Sequence, residues 1–156
     1  MKGAIVQRFK FSELEKDLQT KKDAIKKVVI RNLCWVGEQC VKTARNDGNY
    51  NDITGNLRSS IGYVVLENGQ EVSYAMRQRS KQIKGSAGNG KDGVKAGKEL
   101  LEKLRGEYPR GFALIVVAGM QYAVYVEEVR GKNVLISSKQ YAEQLVPKLL
   151  HDIGLK

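Results

Sequence analysis

The stretch GSAGNGKDG, residues 85 to 93, carries the residue types that cradle phosphate. Gly88, Gly90 and Gly93 satisfy G-x-G-x-x-G, the spacing that opens a dinucleotide-binding turn. Read from Gly85, the same stretch is one residue short of a phosphate loop: Gly90 and Lys91 are in place, but Asp92 stands where a magnesium-binding Ser or Thr belongs. Phosphate chemistry needs more than glycines. The loop must follow a buried strand, so that backbone N–H groups and a helix N-terminus aim at the ligand. Here the polar segment RQRSKQIK leads in, Asp92 repels phosphate, and no acidic partner follows about 20 residues on in a βαβ setting. The stretch is therefore expected to be a basic loop that binds no nucleotide.

Other chemistries are equally poorly supplied. Glu127 and Glu128 are adjacent, so they point apart and form no facing acid–base pair; they are read as solvated or interfacial. His151, the only histidine, sits near the end of the last helical pattern, where it meets the helix dipole favourably. No Ser or Cys has a base beside it in the sequence. With one histidine and no C-x-x-C pair, a zinc site lacks ligands. Cys34 and Cys40 lie in a helical pattern with about 9 Å of rise between them, too far for a disulfide. The expectation is no enzyme, no cofactor and no metal.

What must position any site is a chain of 156 residues, 42% hydrophobic, the size of a single domain with one core. Apolar runs such as FALIVVAG fall well short of the roughly 18 residues that argue a membrane span, and the first residues lack a signal-peptide core. Cytoplasmic synthesis and no membrane partner are expected. The net charge of +10 attracts polyanions. Much of it is local: Arg77, Arg79, Lys81, Lys84, Lys91, Lys95 and Lys98 stand against Asp92 alone, +6 of the +10.

Along the chain, FSELEKDL pairs Ser12 with Glu15 as a capping box, which starts a helix near residue 13. Leu14, Leu18, Ile25, Val28, Val29, Leu33, Val36 and Cys40 recur at helical spacing and carry it to about Ala44. A helix of roughly 30 residues, against a mean of about 12, points to a role in assembly. ARNDGNYNDITGN is a loop. Two alternating runs then flank Asn68-Gly69, a hairpin signal. If Glu67 faces Gln70, then Val65 pairs with Val72, Tyr63 with Tyr74 and Ile61 with Met76, all six on one buried face.

Residues 79–97, rich in Gly and Lys, read as a long mobile loop. KELLEKLRG is a short helix, GFALIVVAG the central strand, MQYAVYVEE a helical turn or short helix, and NVLIS another strand. A second capping box, Ser137 with Gln140, opens a C-terminal helix with Tyr141, Ala142, Leu145, Val146, Leu149 and Ile153 inward, kinked or split at Pro147. The sum is an α+β fold: an antiparallel sheet packed against a long N-terminal helix and a C-terminal helix.

Two phrases exceed what generic packing requires: DITGNLRSSI at 52–61 and VAGMQYAVYVEE at 117–128. A long helix, then T-G-x-L-R-x-S-I leading into a strand, then a strand plus YAxYVE, then a C-terminal helix, resembles the tail-completion and head–tail connector family of long-tailed bacteriophages. The matching positions are Thr54, Gly55, Leu57, Arg58, Ser60 and Ile61, then Tyr122, Ala123, Tyr125, Val126 and Glu127. Leu57 with Ile61, and Tyr122 with Val126, are each four apart, as on one helical turn that plugs a core. The likeness covers the layout of most of the chain but only about 20 residues in motif. It departs after YVE, where EVRGKNVLISS replaces the family's Gly-Thr and proline-containing segment, and in the length of the Gly/Lys loop.

The resemblance implies a structural virion protein of the neck or tail, synthesised in the bacterial host. Identical subunits would form a ring that meets portal or connector and tail-tube proteins, with genome DNA passing through. Lys81, Lys84, Lys91 and Lys95 would then touch DNA phosphates without reading sequence. The alternative is a non-enzymatic cellular nucleic-acid-binding α+β module. It is opposed by the absence of known nucleic-acid signatures and by Tyr63 and Tyr74 falling on the expected core face, where bases cannot stack.

Overall fold

A computed structural model describes residues 10–76 and 90–154. Its first element, α1 (Phe11–Asn46), extends past both expected ends of the long helix. The Ser12 capping box does not form. The N–H groups of Glu13 and Leu14 already bond the Lys10 carbonyl, which makes Lys10 the cap and places Ser12 inside the first turn. Burial along α1 begins only at Val29, then recurs at Val36, Gly37, Cys40, Val41 and Ala44.

A short helix, α2 (Asn56–Ser59), leads into the hairpin β1 (Ile61–Glu67) and β2 (Gln70–Met76). Asn68 and Gly69 both have positive φ, 50° and 78°, as a type I′ turn requires, and Glu67 faces Gln70 as expected. The register then slips. A bulge after Leu66↔Glu71 sets Val65 against Ser73, Val64 against Tyr74, Tyr63 against Ala75 and Gly62 against Met76. One extra residue in β2 sends every later side chain to the opposite face. Ile61, Tyr63 and Val65 therefore enter one core cluster, while Tyr74 and Met76 lie on the far side and Val72 is exposed.

After α3 (Lys91–Arg105), the strand β3 (Phe112–Ala118) pairs antiparallel with β1, giving the order β2-β1-β3. β1 is the central strand; β3 lies at an edge. The apolar run of β3 reports cover on its two faces, with Leu114, Val116 and Ala118 packed toward α1 and Ile115 and Val117 in the cluster with Leu101 of α3. Cover on both faces does not require a strand on both sides.

The helix α3 begins at Lys91, not at Lys98, so residues 91–97 are not loop; 77–89 lie outside the described residues. Glycine disfavours helix by about 1 kcal/mol, which is why composition misleads here. These glycines are instead the contact surface. A Cβ on Gly93 would stand 1.9 Å from the Asn56 carbonyl oxygen, one on Gly97 2.6 Å from that of Ser60, and one on Gly119 2.4 Å from the Gly97 Cα. Backbone thus lies on backbone where α3 crosses α2 and the end of β3.

Two helices complete the chain, α4 (Ala123–Glu128) and α5 (Ile136–Asp152), and α5 continues through Pro147 without a break. Its expected inner stripe is half-buried, and it packs along α1. The fold is α+β, with the sheet between α1 and α5 on one face and α3 on the other.

Candidate assembly site

The two phrases meet at one corner. Gly55, at φ 75°, caps α2 in a left-handed conformation that favours glycine, and turns the chain so that Leu57, Ser59 and Ser60 are buried. The Ser60 carbonyl accepts from Gly119 N–H at 3.1 Å, and its hydroxyl accepts from Met120 N–H at 3.3 Å while donating to the Leu57 carbonyl at 2.7 Å. Ser60 therefore welds the start of the second phrase to the end of the first. Leu57 and Ile61 are both buried, but not as one helical turn: α2 ends at Ser59 and Ile61 opens β1.

Arg58 lies between an acid and a ring. Its Nε is 3.8 Å from Asp52 Oδ2, and its guanidinium stands 5.5 Å from the centre of the Tyr50 ring. The Asp52 side chain is nearly inaccessible, so this charge pair is a fixed internal brace. Burial pushes the Tyr50 hydroxyl up to about 12, and that hydroxyl donates to the Ala44 carbonyl at 3.0 Å. Burial also raises Tyr122; Asp52 adds to this, and a hydrogen bond with Thr54 works the other way. Tyr122 thus reaches across to the first phrase with its ring half outside, and does not plug the core; Ala123 and half-buried Val126 do.

Glu127 is half-buried and held within its own chain, not freely solvated. Its Oε1 accepts from the N–H groups of Val134, Leu135 and Ile136 at 3.2, 2.7 and 2.9 Å. These are amides at the start of α5, where a carboxylate satisfies unpaired donors and meets the positive end of the helix dipole. Asn133 adds a second clamp, accepting from Ser137 N–H at 3.1 Å and donating to the Ser137 hydroxyl at 2.6 Å. The expected capping box of Ser137 with Gln140 is displaced by this arrangement, and NVLIS is no strand, because α5 already starts at Ile136. Ser138 closes the corner onto α1, its hydroxyl donating to the Cys40 carbonyl at 2.7 Å while Cys40 Sγ donates back at 3.4 Å. Cys34 and Cys40 are free thiols, and burial raises Cys40 to about 11.

The outer face of the corner is apolar. Tyr122, Tyr125 and Val129 recur at three and four residues along α4 and its caps; Tyr125 is 50% and Val129 65% exposed, and Val124 beside them is also exposed. Arg130 lies over the Tyr125 ring at 5.9 Å. Of the residues expected to meet DNA, Lys91 and Lys95 are exposed on α3 and share a face with Lys98, whereas Lys81 and Lys84 lie outside the described residues. Of the glycine motif, Gly85 and Gly88 lie outside the described residues; the Gly93 N–H at the start of α3 is taken by Asn56 Oδ1 at 3.4 Å, and Gly90 abuts Ser59.

The fold and this corner define a small α+β protein with an internally braced elbow and an apolar outer face. No family model, curated protein or solved structure matches the chain. Among the described residues no cluster of three metal-binding side chains occurs, and no helix is long and apolar enough to cross a membrane. Sequence reasoning missed the Glu127 cap and the Asp52–Arg58–Tyr50 brace. D-x5-R within the turn was a signal for the brace; nothing local marks a carboxylate that caps a helix beginning nine residues later.

Proposed function

We propose that this chain is a structural protein of the phage head–tail joint or tail end, one subunit of a ring that helps join tail to capsid. The observation that carries the reading is the joining of the two phrases into one hydrogen-bonded corner through Ser60, Gly119 and Met120, with Tyr125 and Val129 left exposed upon it. A braced corner with an apolar outer face suits repeated contact between identical subunits better than it suits catalysis. Portal or connector and tail-tube proteins are the further partners of such a ring, and the virion neck or tail is its location.

Tyr125→Asp with Val129→Asp tests this directly, because both side chains are exposed and neither belongs to the buried clusters. In a phage carrying the pair, filled heads and unjoined tails should accumulate while the free subunit melts as wild type. Normal yields of joined particles would sink the proposal. Glu127→Arg is a poorer probe, since it also removes the cap of α5.

Genome DNA is a further partner, met through Lys91, Lys95 and Lys98 on one exposed face of α3 together with Lys81 and Lys84. Such binding is weak and indifferent to sequence. Replacing Lys91, Lys95 and Lys98 with Gln should lower the log–log salt slope of duplex binding by about 0.9 for each phosphate no longer neutralised, with a melting temperature almost unchanged. An unaltered slope in a filter-binding titration would assign the charge to another task.

A further inference from the structure

Among the described residues, little covers the first half of α1. From Phe11 to Val28 the helix runs about 27 Å before its first buried residue, Val29. Along that length Phe11, Leu14, Leu18 and Ile25 are 80%, 51%, 57% and 44% exposed. Their spacing, with Lys21 and half-buried Val28 in the two remaining places, is the alternation of three and four that makes a coiled-coil seam. We infer that this arm pairs antiparallel with the same arm of a second copy, across a two-fold axis, with Phe11 against the partner's Val28, Leu14 against the partner's Ile25 and Leu18 against the partner's Lys21.

The charge pattern selects both the occupant and the direction. Over the first turns Glu13, Glu15 and Asp17 outweigh Lys16, and over the later turns Lys21, Lys22, Lys26 and Lys27 outweigh Asp23, so the arm is acidic at its start and basic toward the body. An antiparallel copy lays the acidic block on the basic block and brings Glu15 beside the partner's Lys22. A parallel copy would stack Lys21 on the partner's Lys21 inside the seam. Within its own chain Lys26 is already engaged by Glu67, and the overlap ends just beyond it at Val28, where each arm enters its own body. An anionic membrane surface is a worse match, since the acidic turns flank the stripe. The pairing goes beyond the ring reading and does not depend on it: a two-fold contact uses one patch on both copies, whereas a ring needs two different patches.

Sedimentation of the full chain tests the arm. Between about 1 and 200 μM the wild type should pass from monomer to dimer, as a short two-stranded seam predicts. Leu18→Asp should raise the dissociation constant by at least about tenfold, with the circular dichroism and melting of the body retained, because the site lies outside the core. Glu15→Lys and Lys22→Glu should each weaken dimers, and mixing these two variants should restore them as a heterodimer, since every antiparallel contact is then an acid–base pair. A wild type that stays monomeric, a dimer indifferent to Leu18→Asp, or a mixture that does not recover would overturn the inference.

Discussion

Gly93→Ala should cost the fold more than any other single methyl. The new Cβ would lie 1.9 Å from the backbone carbonyl oxygen of Asn56, and backbone cannot rotate away as a side-chain end can. Either α3 lifts off α2 or α2 shifts against β1, and both open the packing around Leu101 and Leu57. Overpacking costs typically 1–3 kcal/mol, so a loss at the upper end, about 3 kcal/mol, is expected. For a chain of this size that lowers the melting temperature by about 6–12 °C. Gly106→Ala is the control. Its Cβ would meet nothing nearer than 4.0 Å and its φ is −66°, so it should be neutral or stabilising by up to about 1 kcal/mol. Equal melting of the two variants would show that α3 does not sit on α2 as described.

Glu127→Ala should be nearly as damaging, for an electrostatic reason. One carboxylate oxygen serves three amides at the head of α5, and its removal leaves those donors unpaired at a helix N-terminus where Val134 is buried. Hydrogen bonds to a charged group contribute about 1.5–3 kcal/mol and loss of a cap costs about 0.5–2, so a drop of about 2–3 kcal/mol is expected in urea unfolding. Glu127→Gln keeps an acceptor oxygen without the charge and should recover about half. The exposed neighbour supplies the comparison: Glu128→Ala should stay within about 0.5 kcal/mol of wild type. If both alanine variants behaved alike, the cap would have no part in holding α5.

The layout was legible because it rests on local periodicity. The stripes of α1 and α5 repeat at the helical period and the Asn68-Gly69 turn is marked by its own two residues, and each of these elements formed where expected to within a turn, although the α1 stripe is buried only from Val29 on. The two phrases could be singled out, yet the roles within them were misread for Glu127 and Tyr122. Residue type says that a glutamate is charged; it does not say which amides will stand before it.

What the sequence determined by itself was therefore the class of fold and the long helix with its apolar stripe. The tertiary structure alone decided that β1 rather than β3 is central, that a bulge parts Tyr63 from Tyr74, and that Gly93 and Gly97 belong to a helix. The physical reason is common to all three. Strand position, register beyond a turn, and the worth of a missing Cβ depend on which backbone arrives from elsewhere in the chain, and here Asn56, Ser60 and Gly119 arrive where composition alone reads a loop.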